Sequence, residues 1–119
     1  MLPATRFVTL PAFAHPGAHS VTHPLGFRAA GVAAGIKRSS RLDVALLHSD
    51  HPCVSAALFT RNAAAAAPVY VTREASDCDA LRTCVVNSGN ANACTGEEGR
   101  AAALRMRAAA AAALGTPEA

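Results

Sequence analysis

Apolar and polar positions change texture several times along the chain. Residues 1–20 carry three prolines and two histidines with no clear period, and predict an irregular arm. From Leu25 the chain turns small and apolar, punctuated by glycine: Gly26-Phe27-Arg28-Ala29-Ala30-Gly31-Val32-Ala33-Ala34-Gly35-Ile36-Lys37. Glycines in such a segment mark close backbone approach or bulges. Leu42 to His48 predicts a strand through Leu42, Val44, Ala45, Leu46 and Leu47. Asp50-His51-Pro52 is turn chemistry. Val54 to Thr60 predicts a second strand, so residues 42–60 are expected to form an antiparallel hairpin.

Five alanines, Ala63 to Ala67, precede Pro68. Pro68 disfavours helix just before itself yet is well suited to open one. Val69-Tyr70-Val71-Thr72 leans towards a strand, with a helix opened by Pro68 as the alternative. Arg82 to Asn87 holds a short run, Thr83-Cys84-Val85-Val86, of the kind a strand buried on both faces shows. It ends in the amide-rich loop Asn87-Ser88-Gly89-Asn90-Ala91-Asn92. A helix follows. Thr95 with Glu98 forms a capping-box pattern, and Glu97 and Glu98 suit the positive end of the helix dipole. Ala101 to Ala113 is nearly pure helix former, with an expected apolar stripe at Leu104, Ala108, Ala111 and Leu114. Gly115 and Pro117 stop it. The small side chains would let it lie close to a sheet.

The length of 119 residues is that of one ordinary domain. Alanine supplies about a quarter of it, and aromatic residues only 4%, so any core is thin. Charged residues are 16%, below the usual quarter, which suggests that part of the surface is covered by something else. Exposed apolar patches are therefore expected on this chain alone. No apolar run reaches the ~18 residues of a membrane span. The net charge is only +3 and the basic residues are scattered without aromatics, which argues against nucleic-acid binding.

The four cysteines, Cys53, Cys78, Cys84 and Cys94, form no C-x-x-C and have no histidine at zinc-finger spacing. They are expected to be small buried thiols in a reducing compartment, Cys84 above all. His15, His19 and His23 are spaced by four, but Pro16 and Pro24 disfavour the helix that would align them as metal ligands. Ala12-Phe13-Ala14 has the form of a signal-peptide cleavage site, yet Pro3 and Pro11 interrupt the stretch before it, and a flexible leader is expected. Ser88 lies in V-N-S-G-N rather than G-x-S-x-G, so no nucleophile elbow is present. Glu97 and Glu98 are better explained by the helix dipole than as an acid–base pair.

The loop Asn87–Asn92 is the most informative segment. Loops between a strand end and a helix start are where ligands collect, and asparagine both donates and accepts. Asparagine also tolerates left-handed turns and bonds its own backbone, so a purely structural loop stays open as the alternative.

The segments G-F-R-A-A-G-V-A-A-G-I-K (26–37), L-D-V-A-L-L-H-S-D (42–50), A-L-F-T-R-N (57–62) and A-A-A-P-V (65–69) occur in order. With V-V-N-S-G-N-A-N-A-C-T-G-E-E-G (85–99), the most specific of them, the chain resembles the bifunctional ornithine acetyltransferase/N-acetylglutamate synthase family of arginine biosynthesis. The resemblance covers about residues 21–115.

It implies an α/β fold of stacked helix and sheet layers, resembling but distinct from N-terminal-nucleophile hydrolases. It implies a cytoplasmic enzyme that moves acetyl from N-acetylornithine to glutamate, some members also using acetyl-CoA as donor. No cofactor or metal is implied. The nucleophile is a threonine freed by self-cleavage between Ala and Thr, and the resulting α and β chains stay together and assemble further. The Ser-Thr-Gly segment of the oxyanion hole and the Ala-Thr cleavage site lie beyond Gly115 in the family pattern, and Thr116, flanked by Gly115 and Pro117, does not match the nucleophile. No catalytic residue is therefore placed in this chain.

The expectation is a division at residue 20: an arm at 1–20, and at 21–119 the N-terminal portion of an α chain, inactive alone. Its partners would be the rest of the α chain and the β chain. Asn87, Ser88, Gly89, Asn90 and Asn92 are the substrate-proximal candidates. The competing reading is a non-catalytic ligand-binding or interaction module that keeps part of the fold.

Overall fold

The structure is a computed structural model and describes residues 21–118. The elements run in the order β1 (Phe27–Val32), β2 (Val44–Ser49), α1 (Ala67–Ala75), β3 (Thr83–Asn87) and α2 (Gly96–Leu114). The strands form one antiparallel sheet ordered β1-β2-β3, with Phe27 opposite Ser49 and Val44 opposite Asn87. Helix and sheet are thus mixed, as an α/β chain requires. The irregular arm, the Ala12-Phe13-Ala14 pattern, His15 and His19 lie outside the described residues.

The glycine-punctuated segment becomes the edge strand β1. A Cβ on Gly31 would lie 3.3 Å from Leu42 Cδ1, so this glycine is where the backbone and Leu42 come close. The expected hairpin over 42–60 does not form. β2 pairs with β1 on one side and β3 on the other, leaving Val54–Thr60 extended but without a ladder. Ser55 instead ties that segment to 78–81: its N–H donates to Asp79 O at 2.8 Å, its hydroxyl to Cys78 O at 2.8 Å, and Leu81 N–H donates to Ser55 Oγ at 2.7 Å. The alternation of its side chains was real, but alternation does not name a partner.

Val69–Thr72 is helical, not a strand. Pro68 opens α1 with its fixed φ, and its missing N–H is one the first turn would leave unpaired. β3 forms where expected but lies at the sheet edge. Cys84 and Val86 share one face of the strand and both are exposed, so that face is uncovered, which overturns burial on both faces and the buried Cys84 thiol. All four cysteines are unpaired; Cys53 and Cys78 are half-buried and Cys94 is exposed.

α2 ends as expected: Gly115 adopts the left-handed conformation at φ 63° and its N–H reaches back to Ala111 and Ala112. Its start differs. The Thr95 hydroxyl donates to Asn92 O at 3.1 Å and makes no cap bond, so the capping box is not formed. The inward stripe holds in part: Ala108, Ala111 and Leu114 are half-buried, as expected. Ala103 is buried while Leu104 is 38% exposed, because Ala103, Met106 and Ala110 face α1 and the sheet.

The core is thin, as an alanine-rich chain dictates. Among the described residues only Ala67, Val71 and Ala103 are buried apolar side chains. Leu25, Val54 and Leu58 are almost fully exposed. A cleft of about 350 Å³ separates the layers, lined by Phe27 and Leu47 of the sheet, Val71 of α1, and Met106 and Ala110 of α2. The helices and the sheet therefore leave open space between them.

Candidate functional site

A cluster of short hydrogen bonds centres on Asp43, at the entry to β2. The residue is 4% exposed. Its Oδ1 accepts the Ala34 N–H at 2.6 Å, and its Oδ2 accepts those of Ile36 and Lys37 at 2.7 and 2.9 Å. The Lys37 amide most of all, then the Ala34 amide, hold the Asp43 carboxyl below its ordinary value of 3.8. The carboxylate thus pins the turn that follows β1. Its own backbone is engaged on both sides: its N–H donates to Val32 O at 3.0 Å, and its carbonyl accepts the Ser88 N–H at 2.8 Å.

That last bond joins Asp43 to the amide loop. Asn87 ends β3 opposite Val44, which carries the loop out from the sheet edge. Asn87, Ser88, Gly89 and Asn90 are exposed, and Asn92 is half-buried. Gly89 has φ +104°, a conformation that L side chains rarely adopt. A Cβ there would meet Lys37 Cγ at 2.5 Å and Ile36 Cγ2 at 3.5 Å, so the loop backbone lies directly on the turn that Asp43 holds. Lys37 Nζ donates to Leu42 O at 2.9 Å, which fixes the stem beneath the loop. An isolated bridge between Ala66 and Ala93 joins the far end of the loop to the start of α1. The five candidates thus stand on one loop, four of them exposed and Asn92 half-buried.

Asp43 was not singled out from the sequence. Its signal was an isolated acid after Lys37, Arg38 and Arg41, at the mouth of a strand and behind a glycine-rich turn.

A second polar cluster lies on the sheet. His48 is buried, its Nδ1 sharing a 2.8 Å hydrogen bond with Thr83 Oγ1. Asp50 Oδ1 stands 4.0 Å from His48 Nε2 but 2.6 Å from the Arg28 guanidinium, which is its true partner. This arrangement knits three strands' residues together across the sheet, and Ser88 is no part of it. Among the described residues no group of three or more His, Cys, Asp or Glu is placed to hold a metal ion. No helix among them is long and apolar enough to cross a membrane.

The comparisons with known proteins agree with one another. The model of the ArgJ family matches residues 28–119, which takes in both the Asp43 turn and the amide loop. The arginine biosynthesis bifunctional protein ArgJ of Dehalococcoides mccartyi is 49% identical over 89 residues, covering 73% of this chain and 22% of that protein. Its counterpart in Symbiobacterium thermophilum is 50% identical over 100 residues, covering 82% and 25%. The chain therefore spans about a fifth to a quarter of the length of these curated relatives.

Two crystal structures share the fold. Ornithine acetyltransferase from Mycobacterium tuberculosis, solved with ornithine, matches with a TM-score of 0.73 and 52% identity, over 80% of this chain and 50% of the other. The ArgJ bifunctional protein of Bacillus halodurans matches with a TM-score of 0.78 and 42% identity, over 84% and 52%. The chain belongs to the ArgJ family.

Proposed function

We propose that this chain is the N-terminal part of a glutamate N-acetyltransferase of arginine biosynthesis, and that its Asn87–Asn92 loop forms one wall of the substrate pocket. The observation that carries the reading is the exposure of the loop's amides at a strand-to-helix junction, within the stretch matched by the family model. Asparagine amides suit the carboxylate and amide groups of an acetylated amino acid.

The chemistry on this reading belongs to a threonine outside the chain, freed by self-cleavage between Ala and Thr. Its hydroxyl oxygen attacks the acetyl carbonyl of N-acetylornithine and gives a tetrahedral oxyanion. Collapse releases ornithine, with the threonine proton passing to the leaving amine, and leaves the acetyl group as a threonine ester. The amine of glutamate then attacks that ester, forming N-acetylglutamate and restoring the threonine. Acetyl-CoA would enter as an alternative acetyl donor at the first step. The described residues supply scaffold and pocket wall, and are inactive without the rest of the α chain and the β chain, in a further assembly. The same reading places the reaction in the cytoplasm.

The test is steady-state acetyl transfer from N-acetylornithine to glutamate by the complete protein. Asn90→Ala should raise KM for N-acetylornithine about tenfold with kcat nearly unchanged, the loss of one binding hydrogen bond. An unchanged KM for Asn87→Ala, Asn90→Ala and Asn92→Ala alike would remove the loop from the pocket. A complete wild-type protein that transfers no acetyl group would remove the enzymatic reading altogether.

A further inference from the structure

Asp43 reaches the amide loop by two routes. The first is a backbone bond, from the Ser88 N–H to the Asp43 carbonyl at 2.8 Å, and any residue at 43 could make it. The second needs the carboxylate. Three amide donors from one short turn converge on its two oxygens, at 2.6, 2.7 and 2.9 Å. Such charge-assisted bonds are stronger than bonds between neutral groups and fix the turn's backbone from inside.

Two of the three donors, Ile36 and Lys37, are the residues on which Gly89 rests. Lys37 is held at both ends, by its amide on Asp43 and by its ammonium on Leu42 O at 2.9 Å. Its aliphatic stem is thereby laid across the turn as a fixed shelf. Gly89, without a side chain and at φ +104°, lets the loop sit on that shelf closer than any other residue could. Asp43 itself is buried and touches no exposed face.

We infer that Asp43 is a positioning residue: through the Lys37 stem against Gly89 it sets where the Asn87–Asn92 loop stands, and so how well that loop meets its substrate. This rests on the proposed role of the loop as a pocket wall. It predicts control of binding by a residue that contacts no ligand.

The experiment is kinetic, in the complete protein, with N-acetylornithine as the varied substrate. Asp43→Asn fills the same space but sets an NH2 group against N–H donors. It should raise KM about tenfold with kcat within about twofold of wild type, since a displaced wall weakens binding while the reacting threonine lies elsewhere. Gly89→Ala should do the same by lifting the loop off Lys37. Adding Lys37→Ala to Gly89→Ala removes the obstructing Cγ and should restore part of the lost KM, although strain at position 89 remains.

A purely structural carboxylate gives a different pattern: less folded enzyme, an unchanged KM in what survives, and no recovery in the double variant. That pattern overturns the inference. Should Asp43→Asn fail to fold, Gly89→Ala and its double variant carry the test by themselves.

Hydrogen exchange separates this inference from the reading beneath it. In Asp43→Asn the backbone of 87–92 should exchange faster while Val44–Ser49 stays protected, whatever the loop binds. Unchanged exchange in 87–92 overturns the positioning role. An unchanged KM in Asn87→Ala, Asn90→Ala and Asn92→Ala alike, with faster exchange in Asp43→Asn, overturns the pocket-wall role and leaves Asp43 as the loop's anchor.

Discussion

The turn around Asp43 and the layer between sheet and helices are built by opposite means. Around Asp43 there is almost no apolar burial, yet one carboxylate satisfies three amides and its backbone joins two further segments. Between the layers the lining is mostly apolar, and Phe27, Leu47, Met106 and Ala110 border a cleft of about 350 Å³. The difference teaches where this chain can hold a fixed geometry unaided. Hydrogen bonds to a buried charge depend on groups close in sequence, and this chain supplies them all. A packed core needs volume, and alanines supply little of it.

Substitutions can break that comparison. The largest effect is expected at Asp43→Ala, which leaves the Ala34, Ile36 and Lys37 amides without their acceptor. Amide exchange of these three residues should lose its protection, and retained protection would show that another group holds the turn. Gly99→Ala comes next, on the helical side. A Cβ there would collide with the Thr95 side chain, while reaching Ala67 of α1 at an ordinary 3.4 Å contact. Overpacking of this kind costs about 1–3 kcal/mol, against about 1 kcal/mol that alanine adds as a helix former. Denaturant titration should register a net loss of stability.

Acid sharpens the contrast. Because the folded Asp43 carboxyl is held below 3.8, its contribution is fully present above that value. It is lost as the pH falls from there through the lower folded value. Protection of the Ala34, Ile36 and Lys37 amides should therefore be flat from neutral pH down to about 4 and decline only below, followed by NMR. A decline already well advanced above about pH 5 would show that a group other than this carboxylate holds the turn. Met106→Ala should have the smallest effect. In a closed core such a truncation costs about 2–5 kcal/mol, but on the wall of an open cleft it should cost under about 1 kcal/mol. A large loss would mean that the cleft is filled in solution.

Much of the fold was legible along the sequence, and the failures have physical causes. The helical run of α2 and its Gly115 stop were readable because they are local. The hairpin over 42–60 was misread because the alternation at Val54–Thr60 gives direction but not partner; β2 found β1 and β3 instead. Val69–Thr72 went to helix because Pro68 at the first turn outweighs β-branched propensity. Cys84 was expected inside because an apolar run does not say which face of the strand is covered. The amide loop was visible by its composition. Asp43 was not, since its importance lies in three donors converging from a turn that shows no chemistry of its own.

The most direct test of the central claim is hydrogen exchange of the complete protein with and without ornithine. If the amide loop lines the pocket, saturating ornithine slows exchange across Asn87–Asn92 and leaves the exposed segment Val54–Thr60 unchanged. Equal exchange of 87–92 in both states, with ornithine demonstrably bound, would contradict it.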